Sequence, residues 1–205
     1  PAVKSASLSG FLPIESYRNT SSFFKGKSAS QENTLLIANW TVDFDYVKTM
    51  GMEIIKGRDF DERLATDSSA IIINEELARQ LGYENPVGEF MSGHTFGDNN
   101  QVTGMEVYPI IGVIKNFHYA SLRESINPLA LFVGRSRGAL SLRLQTNDYQ
   151  GFIQQLETDW KTMAPNQPFS YQFMDERFSR MFETEQQLGK IAGIFSFLAI
   201  FIVCS

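Results

Sequence analysis

The chain has 205 residues, 43% hydrophobic and 20% charged, which is enough apolar material for one domain or two small ones and too much for a disordered chain. Its formal net charge of −5 and its lack of clustered Lys or Arg argue against nucleic-acid binding by phosphate neutralisation and against a polybasic hold on a membrane surface. Cys204 is the single cysteine, so there is no disulfide framework, cysteine metal site or cysteine nucleophile upstream of it.

Small and apolar residues alternate over Val3–Ser9 and predict a strand. Residues 13–33 are rich in Ser, Asn, Gly and Lys and read as a long loop. A second strand is expected over 35–42, with Asp43 as N-cap of a short helix over 44–50 that Gly51 closes. A third strand follows over 52–56. Beyond the polar stretch 61–69, the β-branched run 70–73 reads as a buried strand, and Asn74 caps a helix over 75–81 that stops at Gly82. Pro86-Val87-Gly88 starts a new extended segment. Residues 92–104 read as a loop or hairpin turn, and 107–114 as a strand in which Pro109 and Gly112 mark an edge or a bulge.

Strands are expected again over 129–133 and 139–144, and a helix over 148–163 places Phe152, Ile153, Leu156 and Trp160 on one face before Pro165 ends it. Residues 169–173 alternate like a strand. From Asp175 the pattern turns helical, with Phe178, Met181, Phe182 and Leu188 as an apolar stripe. Residues 191–205 carry no charge. A spanning helix needs about 20 apolar residues, so this run reads as the start of a transmembrane helix, with Lys190 at the interface and the stripe as a coupling helix continuous with it. The chain is expected to be a fragment: an extramembrane domain with the entry of a membrane helix attached.

Motifs with chemical potential are few. Gly26-Lys27-Ser28 has the ending of a phosphate-binding loop, but Ser21 stands where the first glycine is required, and a polar loop is the plainer reading. His94 and His118 lack partners at ligand spacing and read as loop-anchoring residues. Asp43, Asp45, Asp59, Asp61 and Glu62 form two acidic groups without the alternation of a calcium loop, so capping and solvation account for them. No Ser-His-Asp arrangement is proposed. Gly57-Arg58-Asp59-Phe60 ends a strand, and its glycine, ion-pairing residues and aromatic suit a structural corner. No catalytic, cofactor-binding or metal-binding residue is assigned.

Taken in order, the string from Val42 to Met52 (VDFDYVKTMGM), Gly57-Arg58-Asp59-Phe60, Ala70-Ile71-Ile72-Ile73-Asn74-Glu75, Asn85-Pro86-Val87-Gly88 and the string from Ile110 to His118 (IIGVIKNFH) resembles the extracytoplasmic core domain of MacB/FtsX-type ABC transporter permeases. The departures are Val47, where that family has an aromatic, and Asn116, where Asp is common. The resemblance implies an α+β fold in two lobes: a discontinuous membrane-proximal lobe over 1–66 and 124–190, and an inserted lobe over 67–123, followed by the start of a transmembrane helix over 191–205. It implies a periplasmic domain held at the inner membrane, with no catalytic residues of its own. ATP hydrolysis on a separate subunit or domain would drive conformational change in the periplasm for efflux, export or partner regulation. The implied partners are an ABC ATPase, a second permease copy, membrane lipid through the C-terminal helix, and a periplasmic adaptor or substrate peptide; nucleic acid and cofactors are not implied. The competing reading is a ligand-sensing domain of a membrane receptor kinase, which also places an α+β domain before a membrane helix. A membrane-anchored hydrolase would need a catalytic constellation that the motifs do not supply.

Overall fold

The computed structural model describes residues 2–13, 19–97, 99, 101–117, 125–136 and 138–176. These contain nine strands and three α-helices. By their contacts they fall into two compact units, one of 2–117 with 125–147 and one of 148–176.

The first unit opens with β1 (Val3–Ser9), β2 (Thr20–Lys25), β3 (Thr34–Val42), α1 (Tyr46–Met50) and β4 (Ile54–Gly57). After a 3-10 turn over Ala65–Ser69 come β5 (Ile71–Asn74), α2 (Glu75–Leu81), β6 (Phe90–Phe96), β7 (Val102–Ile114), β8 (Leu129–Val133) and β9 (Ala139–Leu144). β1 and β9 form a separate antiparallel ribbon with Val3 opposite Leu144 and Ser9 opposite Ala139. The other seven strands form one sheet in the order β4-β7-β5-β8-β3-β2-β6. β7 is long enough to pair with β6 through its first part and with β5 and β4 through its second. The pairings β7-β5-β8-β3-β2-β6-β7 therefore close into a ring to which β4 is appended.

Burial explains this order. All four residues of β5 are buried, so the strand needs a neighbour on each edge and finds β7 in parallel and β8 antiparallel. Ile37, Ile71, Ile73, Leu77, Leu81, Met91, Ile110, Val113 and Ala130 pack into one cluster beneath α2, and each large aliphatic among them contributes about 1.5–3 kcal/mol by leaving water. Residues 67–123 supply β5, β6 and β7, so the sheet runs across the boundaries expected at 67 and 123.

Several elements differ from the sequence reading. The expected loop over 13–33 contains β2, whose Phe23 and Phe24 bridge β3 and β6 while Thr20 to Ser22 stay exposed. Residues 92–96, read as loop or turn, belong to β6 and pair with 102–107 as a hairpin. The bulge expected near Gly112 is present, since Ile71 pairs with Ile110 but Ile72 with Gly112, leaving Ile111 as the extra residue. β7 is not an edge strand there. α1 starts at Tyr46 rather than 44, and its N-cap position is Asp45, without a side-chain capping bond. Asn74 and Gly82 cap α2 as expected: the Leu77 N–H donates to Asn74 Oδ1 at 3.0 Å, and Gly82 takes φ 64°.

In the second unit α3 (Tyr149–Met163) begins where Asp148 Oδ1 accepts the Gly151 N–H at 2.9 Å. Residues 169–173 form no strand; their rings lie in a row with those of α3. Among the described residues no helix is long and apolar enough to cross a membrane. The stripe Phe178, Met181, Phe182 and Leu188 and the run 191–205 lie outside the described residues.

Candidate functional site

The residues singled out at Gly57-Arg58-Asp59-Phe60 build a corner between β4 and β5. Gly57 takes φ 73°, and a Cβ there would collide with the Ile111 carbonyl oxygen, so only glycine lets the chain turn against β7. The Arg58 N–H then donates to that same oxygen at 3.1 Å. The Arg58 guanidinium forms a two-pronged pair with Asp67, with Nη2 donating to Oδ1 at 2.8 Å. Asp67 is fully buried and also accepts the Asp61 N–H at 3.0 Å. The hydrogen bond from Arg58 holds the Asp67 carboxyl below the usual carboxylate range despite burial. Asp59 moves the other way: burial pushes its carboxyl up, opposed by the Phe60 N–H it accepts. Phe60 is buried. The half-buried Asp61 is held down to about 2 by the side chain and then the backbone N–H of Arg63.

A second joint gathers around α2. Asn74 Oδ1 accepts the N–H groups of both Leu77 and Leu129 at 3.0 Å, and Asn74 Nδ2 donates to the Asn127 carbonyl at 2.9 Å. Beside it the Asn116 N–H donates to Glu75 Oε2 at 2.7 Å while Asn116 Oδ1 accepts the Glu76 N–H at 3.0 Å. One helix start thus fixes the chain both where it leaves β7 and where it enters β8.

A third joint ties the ribbon to α1. Asp43 spends both carboxylate oxygens on β1, accepting from Ser7 Oγ at 2.7 Å and from the Leu8 N–H, which is why it does not cap the helix. At the other end of α1, Arg143 of β9 donates from Nε to the Thr49 carbonyl at 2.8 Å, its guanidinium lying where a Cβ on Gly51 would be. Serines rather than aliphatics occupy the β1 positions that face inward, and Ser7 and Ser9 are buried.

The remaining sequence candidates are placed as follows. Gly26-Lys27-Ser28 makes the β2–β3 turn: Asn33 Nδ2 donates to the carbonyls of Lys25 and Ser28, and the Lys27 ammonium lies 3.8 Å from the centre of the Phe90 ring. His94 stands on β6 edge-on to Phe24 at 5.0 Å, and its Nδ1 is buried without a hydrogen-bond partner among the described residues. His118 lies outside them. Asp45 pairs loosely with Lys48 at 3.8 Å. Asp67, Arg143 and the double role of Asn74 escape sequence reasoning, because their partners are distant in sequence or backbone groups. What these joints can do is mechanical: they bind turns and helix ends to strands and leave Asp67, Glu75 and Asp43 committed to arginine, serine or backbone donors.

The fold described above, as distinct from these joints, is of the MacB-like periplasmic domain class. It is shared with the periplasmic region of MacB from Actinobacillus actinomycetemcomitans, at a TM-score of 0.52 and 11% identity over 79% of this chain and 68% of that one. It is shared too with a domain of a putative permease protein from Porphyromonas gingivalis, at a TM-score of 0.54 and 16% identity over 80% of this chain and 65% of that one. The extracellular domain of the noncanonical ABC-type transporter YknZ from Gram-positive bacteria gives a TM-score of 0.46 at 14% identity over 72% of this chain and 68% of that one. The chain thus spans about two thirds of the length of these solved domains. The sequence matches no protein-family model and no curated protein.

Proposed function

We propose that this chain is an extracytoplasmic domain of an ABC transporter permease of the MacB/FtsX type, held at the inner membrane with the domain in the periplasm. The observation that carries the reading is the fold shared with the periplasmic region of MacB and a permease domain. The ordered motifs from Val42 to His118 support it from the sequence side. In this function the domain performs no chemistry. ATP hydrolysis on a separate nucleotide-binding subunit or domain moves a pair of these domains, and residues 177–205 carry the motion between bilayer and domain. The moving pair handles a peptide, a drug, a lipoprotein or a partner protein outside the inner membrane. Joints that fix turns to strands suit that task, because a domain that is pushed must move as a body.

The test uses the whole permease reconstituted with its ATPase in vesicles. Cys204 is the only cysteine of these 205 residues, so in a background where it and every cysteine elsewhere in the permease are replaced by Ser, Leu36→Cys, at an exposed position on β3, takes one spin label per copy. The label-to-label distance is expected to differ between the nucleotide-free and ATP-trapped states. An identical distance distribution in both states refutes the proposed coupling.

A further inference from the structure

α3 carries an apolar stripe of Tyr149, Phe152, Ile153, Leu156, Trp160 and Met163 at three- and four-residue spacing, yet none of its residues is buried. Tyr149 is 49% exposed, Trp160 37% and Met163 75%. The segment after the helix adds aromatic rings to this face. Phe173 stands edge-on to Tyr149 at 6.4 Å and to Tyr171 at 5.7 Å, Tyr171 meets Phe169 at 5.9 Å, and Phe169 meets Trp160 at 6.4 Å. The result is a continuous row of five aromatic rings along one helix, with Tyr171 itself 56% exposed. Ring surface left in water forgoes the free energy gained on burial, which favours a cover for a row of this kind.

We infer that this aromatic face seats in the headgroup boundary of a lipid bilayer, so that α3 lies on the membrane that residues 191–205 enter. The inference rests on reading that run as membrane-inserted, and it goes beyond the transporter reading, which assigns no lipid contact to α3. Three observations select lipid over other occupants. First, only fourteen residues separate Glu176 from the uncharged run starting at Ile191, a tether that reaches at most about 50 Å and raises the local concentration of bilayer surface to roughly the millimolar range. Second, the face includes the residue types that favour the water–hydrocarbon boundary, Trp160, Tyr149 and Tyr171, whose rings are apolar and whose tips are polar. The Trp160 indole N–H already donates to the Gln167 carbonyl at 3.0 Å, so the ring can leave water without stranding a donor. Third, the rest of the helix surface carries Glu157 and Asp159 against Lys161, which pairs with Glu157 at 2.7 Å. A basic flank that would draw the helix to anionic lipid is missing from it, so the hold comes from apolar area and the zwitterionic boundary.

The two tryptophans make the test direct, because Trp40 is buried and Trp160 is not. The full chain is reconstituted into phosphatidylcholine vesicles, with lipids brominated near the headgroup end of their acyl chains as quenchers from the membrane side and acrylamide as the quencher from water. Trp160 emission, taken as the difference between the chain and its Trp160→Phe variant, is expected to shift to the blue and to lose intensity to the brominated lipid, while acrylamide quenches it less than in detergent-free solution. Raising the salt concentration is expected to leave the quenching unchanged. Emission quenched by acrylamide and untouched by bromine overturns the seating while leaving the membrane entry of 191–205 intact. Emission reached by neither quencher shows the face covered by protein and overturns it equally. A chain that does not float with the vesicles overturns both the seating and the reading of 191–205.

Discussion

Replacing Asn74 with alanine is the sharpest test of the joint that organises the first unit. The side chain serves three backbone groups at once: it accepts from Leu77 N and Leu129 N and donates to Asn127 O, all at 2.9–3.0 Å. Both N–H groups are buried with it, so water does not replace the lost acceptor. An orphaned buried donor costs about 1–3 kcal/mol. Two of them, with the carbonyl of Asn127 recovering some hydration, put the loss for Asn74→Ala at about 3–5 kcal/mol. That is a large part of the roughly 5–15 kcal/mol that stabilises an ordinary domain. With a urea slope of about 2–3 kcal/mol/M, the unfolding midpoint should fall by about 1–2 M. The assay follows buried Trp40 fluorescence in a Trp160→Phe background, so that only the first unit is read. Asn74→Asp keeps an acceptor for both N–H groups and loses only the donation to Asn127, so it should recover at least half of the loss. An alanine variant that loses only the ~1 kcal/mol of an ordinary exposed helix cap refutes the reasoning, because it would mean that Leu129 N finds another partner.

Gly57→Ala should lower the melting temperature clearly more than Gly26→Ala: both positions have φ near 70–85°, but only at Gly57 does a Cβ meet a carbonyl, that of Ile111. Equal losses would show that the close approach to β7 is unimportant and that only the left-handed strain of about 1–2 kcal/mol matters. For Asp67, the folded carboxyl titrates below its ordinary value of 3.8, so its contribution is fully present above that pH and is lost as pH falls through the lower folded value. Acid unfolding below pH 4 should therefore be less steep in Asp67→Asn, which should also be less stable at pH 7, and an unchanged acid limb removes Asp67 from the account. Arg143→Lys removes the directed Nε donor to Thr49 and should speed hydrogen exchange in α1 while leaving β5 protected; unchanged exchange would show that the ribbon does not hold the helix. The chain alone should hydrolyse no ATP, and measurable turnover contradicts a separate ATPase.

How much of this was legible in the sequence depended on the range of the signal. Asn74 and Gly82 bracket α2 by local chemistry, a side-chain cap and a left-handed stop, and both ends were readable from the residues beside them. β5 announced itself as three consecutive isoleucines. β2 did not, because Thr20, Ser21 and Ser22 look like loop residues and become a strand only through pairing with 36–38 of β3. The glycine and polar residues of 92–96 hid β6 in the same way, since a hairpin is stabilised by its partner strand. Gly57 and Arg58 were recognised as a corner, whereas Asp67, nine residues on in a polar stretch, carries no sign that it is the buried half of the ion pair. Asp43 was misassigned because a carboxylate before a helix usually caps it, and here the ribbon, some 35 residues away in sequence, competes for both oxygens.

The ribbon has a mechanical asymmetry that bears on the proposed function. The chain of the first unit enters β1 at Val3 and leaves β9 at Leu144, and these two residues are opposite one another. Inter-strand hydrogen bonds in an antiparallel pair run across the strands, so pulling Val3 away from Leu144 would load and break them one pair at a time. Moving both ends together loads none of them and shifts the ribbon whole. At its far end the ribbon is tied to β3, where the Gly10 N–H donates to Thr41 O at 3.4 Å. Along its length it grips α1 at one end through Asp43 and at the other through Arg143. β3 in turn lies between β2 and β8 within the sheet. A displacement shared by both chain ends therefore reaches the sheet through three attachments without breaking a strand pair, whereas an opposed one would be spent on unzipping the ribbon. Under the proposed function, the drive is therefore expected to move both ends of the ribbon in the same direction.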